Sequence, residues 1–169
     1  MKKIVALVLF LAILIAQNPD AVGKNGMVVS SHELASNVGI EILKSGGNAV
    51  DAAIATGFAL AVVHPGAGNI GGGGFMVIRL ADGTVTTIDF REVAPSGAYR
   101  DMFLDDSMNV ISGKSWNTSW AAGVPGSVAG FGMAHEKYGS SKWKNLVRPA
   151  TELAIKGFPI DFQNMSYLN

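Results

Sequence analysis

Val63 to Pro95, VHPGAGNIGGGGFMVIRLADGTVTTIDFREVAP, decides how the rest of the chain is read. Six of the nine residues from Gly66 to Gly74 are glycine. A run without Cβ atoms lets other backbone approach closely and tolerates positive φ. Gly66-Ala67-Gly68-Asn69-Ile70-Gly71 also fits the G-x-G-x-x-G pattern of dinucleotide sites. That pattern carries its chemistry only between a strand and a following helix, where the pyrophosphate meets a helix N-terminus. Here the order is reversed, with an apolar helical run before the glycines and a strand-like run after them. No Gly-Lys-Ser/Thr closes the loop, so a P-loop is excluded as well. The stretch reads as a close-packed helix-to-strand corner.

Phe75 to Leu80 and Val85 to Phe90 are rich in β-branched and aromatic residues. Ala81-Asp82-Gly83-Thr84 lies between them, and Asp-Gly in that place predicts a β-hairpin closed by a type I′ turn. Arg91 follows the second strand at once, and Pro95 stops the segment. An arginine at a strand end sits on a rigid element, and its planar fork can grip a carboxylate with two parallel hydrogen bonds. On spacing alone, the competing reading is an ordinary surface ion pair with Glu92 or Asp101.

Outward from this centre, the 169 residues are 49% hydrophobic and 15% charged, which suits one globular domain or part of a larger one. Net charge is zero and no basic run occurs, so nothing favours nucleic acid or an anionic membrane as partner. With no cysteine there is no disulfide, thiol nucleophile or thiolate metal ligand. His32, His64 and His135 are far apart, form no metal-binding pair at helical spacing, and read as surface or loop residues.

Met1-Lys2-Lys3 and the apolar run Ile4 to Ala16 fit a secretory signal peptide over residues 1–16, leaving a domain over 17–169. An uncleaved membrane anchor is the rival, although the run is short for a span. The expected location is the periplasm or the exterior. Met27-Val28-Val29 is a strand candidate. Ser30 to Glu33 reads as a capping box with Ser30 as N-cap, and Leu34, Val38 and Ile42 make one apolar helix face. Asn48 caps a second helix, Ala49 to Val63, whose apolar circumference places it inside the domain; Asp51 reads as a capping residue alone. Ala98 to Leu104 reads as a short helix. Gly123 to Ser127 leads into a helix ending near Tyr138. Ser127 is no nucleophile elbow, because Pro125 stands where G-x-S-x-G needs glycine. Trp143 to Lys156 reads as a helix with Leu146, Ala150, Leu153 and Ala154 on one face and a turn or kink at Arg148-Pro149.

Five motifs in order carry a family resemblance. They are Gly46-Gly47-Asn48-Ala49-Val50-Asp51-Ala52-Ala53-Ile54-Ala55, Gly68 to Met76, Asp89-Phe90-Arg91-Glu92-Val93-Ala94-Pro95, Arg100-Asp101-Met102-Phe103, and Gly123 to Gly130. Together they resemble the amino-terminal part of the large subunit of γ-glutamyltransferases (glutathione hydrolases), over roughly Gly26 to Pro159. The resemblance implies an α+β fold, part of an N-terminal-nucleophile hydrolase αββα sandwich in which apolar helices pack on a sheet containing the hairpin. It implies Arg91 as the substrate-binding residue, gripping the α-carboxylate of the γ-glutamyl group. It implies a threonine nucleophile in a small subunit beyond this chain, so no catalytic residue is carried over. Thr84, Thr86, Thr87, Thr118 and Thr151 do not stand in its motif, and Arg79 and Arg100 lie outside the matching arginine motif. No metal or organic cofactor is implied. The implied partners are glutathione or another γ-glutamyl compound, an acceptor amino acid, peptide or water, and the missing small subunit. On that basis these 169 residues alone are expected to be inactive. Two alternatives remain at this level: a related β-lactam acylase, and a truncated fragment without catalysis.

Overall fold

Asn48 starts the helix on which the other helices pack. The computed structural model describes residues 22–160 and 162–165, so the expected signal peptide lies outside the described residues. The elements run α1 (Glu33–Lys44), α2 (Ala49–Val63), β1 (Phe75–Arg79), β2 (Val85–Asp89), a 3₁₀ turn (Ser119–Ala121), α3 (Ser127–Tyr138), α4 (Trp143–Lys156) and a last short turn, α5 (Phe162–Met165). The class is α+β, as expected. The described sheet is one antiparallel pair, β1 with β2.

The apolar circumference of α2 does what it predicts. Val50, Ala52, Ile54, Ala55, Phe58, Ala59 and Val63 are buried, and α1, α3 and α4 all pack against this helix. Its N-terminus is closed by a complete capping box: the Asn48 side chain accepts from the Val50 and Asp51 N–H groups, and the Asp51 carboxylate accepts from Asn48 N.

Several expectations are corrected. The N-cap of α1 is His32, whose Nδ1 accepts from Leu34 N at 3.2 Å. Ser30 instead bonds the His32 carbonyl and the Ser36 hydroxyl. The expected face of Leu34, Val38 and Ile42 does pack on the core, Ile42 buried and the other two half-buried, and Ala35 and Gly39 are buried beside it. Gly39 faces Thr56 across the α1–α2 contact, which lets the helices approach closely. Met27 to Val29 form no strand, because no second strand lies beside them among the described residues. Ala98 to Leu104 is a series of turns with an isolated bridge from Leu104 to Val110. Nor are all three histidines surface or loop residues: His64 is buried at the end of α2, and His135 lies on α3 with Nε2 2.7 Å from the Ser141 carbonyl.

Helix α4 runs unbroken through Pro149, although proline removes one intrahelical hydrogen bond. Its inner face is Leu146, Ala150 and Leu153; Ala154 is exposed. The hairpin has the expected strands, with Phe75 opposite Asp89 and Arg79 opposite Val85. Its turn differs. Gly83 N donates to the Leu80 carbonyl, Leu80 N donates to the Thr84 carbonyl, and only Gly83 has positive φ, at 90°. This is a three-residue loop rather than a type I′ turn. The Asp82 carboxylate accepts from Thr84 N at 2.8 Å, which favours the longer loop.

Candidate functional site

Arg91 leaves the open end of the hairpin. Its backbone N–H donates to the Asp89 carboxylate at 3.0 Å, bending the chain out of β2. The segment then passes between two other stretches. On one side, Phe90 and Gly74 exchange backbone hydrogen bonds at 3.0 and 3.4 Å. On the other, Val93 and Val124 exchange bonds at 3.3 and 2.9 Å.

Two glycines make this passage possible. A Cβ on Gly73 would lie 2.6 Å from the Phe90 carbonyl oxygen and 2.8 Å from the Arg91 Cα. A Cβ on Gly126 would collide with the same carbonyl. The glycine loop is thus a backbone channel for residues 90–92. Gly72 adds a second function, since its carbonyl accepts from Gly126 N at 2.7 Å and Ser127 N at 2.9 Å, at the start of α3. That satisfies donors a helix N-terminus leaves open and welds the loop to α3.

The Arg91 side chain is 68% exposed. Among the described residues its ionic neighbour is Glu92, Nε to Oε2 at 3.8 Å. Asp101, the other candidate partner, lies beside Arg100 at 3.7 Å. An exposed pair at 3.8 Å is weak, so the guanidinium fork stays open to a ligand. Arg91 lines a cleft of about 460 Å³ whose walls include Val93, Pro95, Met102, Phe103 and Trp120. Of these wall residues, Val93, Pro95, Met102 and Phe103 fall in the motifs that carry the resemblance, while no motif marked Trp120.

The other sequence candidates fall away from this cleft. Arg79 stands at the turn end of the hairpin, about 13 Å along the strands from the Arg91 end. Arg100 is almost wholly exposed and does not line the cleft. Among the described residues no threonine lines it. Thr118 caps the 3₁₀ turn, accepting from Trp120 N and donating to the Lys114 carbonyl. Ser127 is buried with its Oγ 3.5 Å from Asn69 Oδ1. Among the described residues no group of three or more histidine, cysteine or carboxylate side chains could hold a metal ion.

Asp51 is more than the cap it was expected to be. It is fully buried and also accepts from the Ser140 hydroxyl at 2.6 Å and from the Ser140 and Ser141 N–H groups at 3.2 Å. Burial pushes its carboxyl pKa up, but the hydrogen bonds from the Ser140 side chain and the Asn48, Ser141 and Ser140 backbone together hold it below the ordinary value. The network ties the α3–α4 loop to the start of α2, 89 residues away in sequence.

The sequence profile of the gamma-glutamyltranspeptidase family matches residues 35–169. The glutathione hydrolase proenzyme of Pseudomonas sp. strain A14 is 57% identical over 138 residues, and that of Escherichia coli K12 is 56% identical over 138. Each alignment takes in 82% of this chain but 24% of the relative, so the chain spans about a quarter of their length. Among solved structures, gamma-glutamyltranspeptidase from Helicobacter pylori superposes with a TM-score of 0.85 at 51% identity, over 89% of this chain and 43% of that one. A cephalosporin acylase from Bacillus halodurans superposes with a TM-score of 0.71 at 28% identity, over 89% and 28%. With four-fifths of its residues aligned at better than half identity, the chain belongs to the gamma-glutamyltranspeptidase family.

Proposed function

We propose that this segment is the carboxylate-binding part of an enzyme that hydrolyses or transfers γ-glutamyl groups, with glutathione and related amides as donors. The observation that carries the proposal is the open Arg91 guanidinium, held at a rigid strand exit and facing a cleft. A carboxylate displacing the weak Glu92 contact gains a bidentate, charge-assisted pair. With the α-carboxylate fixed there, the γ-amide is presented at a set distance from the clamp.

The rest of the chemistry belongs to polypeptide outside these residues. In this reading a threonine at the N-terminus of a small subunit attacks the γ-amide, with its own α-amine as base, and an acyl-enzyme forms. Backbone N–H groups stabilise the oxyanion, and water or an acceptor amine takes the glutamyl group. This route needs no metal or organic cofactor. The two-stranded sheet and its helices form one part of an αββα sandwich. Residues 1–16 direct secretion to the periplasm or exterior, with 17–169 as the domain segment. No described helix is long and apolar enough to cross a membrane. The β-lactam acylase reading is weaker, because identity to the cephalosporin acylase is half that to the glutathione hydrolases.

The test is Arg91→Ala in the full-length enzyme carrying this segment. The expected result is a KM for a γ-glutamyl anilide raised on the order of a hundredfold, the loss of a charge-assisted bidentate pair. An unchanged KM would remove Arg91 from the site.

A further inference from the structure

We propose that Phe90 is the positioning residue for Arg91: its ring plugs a glycine-walled socket and fixes the register at which the arginine leaves β2. The inference rests on the carboxylate role of Arg91 and adds the device that aims the side chain.

The backbone around Arg91 is sparsely tied. The last ladder bonds of the hairpin end at Phe90, and the next anchor is the Val93–Val124 bridge. Between them, Arg91 and Glu92 make no backbone ladder bonds among the described residues. Their placement depends on how firmly the flanking residues are held. The Phe90 ring supplies that hold. A Cβ on Gly130 would collide with the ring, and one on Gly74 would lie 3.0 Å from its Cε2. The two glycines are therefore the socket walls. Phe131 closes it edge-on, with ring centroids 5.9 Å apart at 62°. Phe131 in turn packs on the buried Phe58, 5.2 Å away at 72°, so the socket is continuous with the core beside α2.

The plug specifies register by exclusion. A slip of one residue would bring the Arg91 guanidinium against Phe131 and Phe58, and an unpaired charge is strongly disfavoured among apolar rings. A smaller side chain at position 90 leaves the socket partly empty. The Gly74 hydrogen bonds, the Arg91 N–H bond to Asp89 and the Val93 bridge remain, but none of them fills the socket that sets the direction in which Arg91 leaves.

Catalytic discrimination tests the proposal better than activity alone. In the full-length enzyme carrying this segment, kcat/KM is measured for a γ-glutamyl anilide and for a 4-aminobutyryl anilide, the same amide without the α-carboxylate. Arg91→Ala should collapse the ratio of the two values. Phe90→Leu should lower the ratio on the order of tenfold, because misplacing a clamp weakens only the substrate that uses it. Gly130→Ala, whose added methyl would collide with the Phe90 ring from the opposite wall, should lower it similarly. Gly83→Ala, at the far end of the hairpin, should leave the ratio unchanged. If Arg91→Ala collapses the ratio and Phe90→Leu does not lower it, the positioning role is overturned while the clamp stands. If Arg91→Ala leaves the ratio intact, the clamp is wrong and the positioning role falls with it. Should Gly130→Ala fail to fold, Phe90→Leu alone decides.

Discussion

Asp51 shows how much one side chain can connect. Its carboxylate completes the capping box of α2 and holds the loop between α3 and α4, taking donors from Asn48, Ser140 and Ser141. Replacing it by alanine leaves those donors without their acceptor and removes a cap. Asp51→Ala should therefore lower the unfolding free energy by about 2–3 kcal/mol, read from denaturant melts. The network also has a defined pH dependence. The folded carboxyl binds its proton less tightly than the unfolded one, whose value is near 3.8. Its contribution is complete above that value and is lost as pH falls through the lower folded value. The stability gap between the wild type and Asp51→Asn should accordingly be constant near neutrality and shrink below about pH 4. A gap independent of pH would mean that the charge contributes nothing. Asn48 and Asp51 were legible as a cap because they are three residues apart. Ser140 was not, because nothing in a linear sequence pairs positions 89 apart.

At the scale of elements, the hairpin separates local from non-local information. Its strands follow from β-branched and aromatic composition and the Asp82-Gly83 pair, which are local signals. The turn class and the register it sets do not, because two- and three-residue loops share the same dipeptide chemistry: a two-residue turn on Asp82-Gly83 would put Leu80 opposite Val85, whereas Arg79 stands there. Gly83 nevertheless carries the positive φ, with open space around it. Gly83→Ala should thus cost about 1–2 kcal/mol through backbone strain alone, with no clash and no change in the Arg91 cleft. Thermal melting with the substrate-discrimination ratio measured alongside checks both halves. Met27 to Val29 failed as a strand for the opposite reason. Their propensity is high, yet β-propensity measures fit to a pleated surface, and no neighbouring strand offers one among the described residues. Helix α4 overrode its proline in the same way: Leu146 and Ala150 are buried against the core, and that packing outweighs one lost backbone bond.

For the whole molecule, the sheet is the exposed part. Met76, Ile78 and Ile88 turn toward the helices, while Phe75, Val77 and Val85 are each more than half exposed on the other face. An isolated two-stranded sheet is marginal in water, and this one shows an apolar surface. The purified 169-residue chain should bind a hydrophobic dye and self-associate. It should also give no turnover of a γ-glutamyl anilide if, as proposed, the threonine nucleophile lies in other polypeptide; among the described residues no threonine lines the Arg91 cleft. Turnover by the chain alone would refute the placing of the nucleophile elsewhere. The sequence by itself determined the Asn48 cap, the apolar core helix α2, the hairpin strands and the family, because each is written in spacings of a few residues or in ordered motifs. It also singled out Arg91 from Arg79 and Arg100. Only the tertiary structure decided what the glycines approach: Gly73, Gly74, Gly123, Gly126 and Gly130 press on residues 90–92 from two distant stretches. Close packing of backbone on backbone is a property of three-dimensional approach, and no local pattern encodes it.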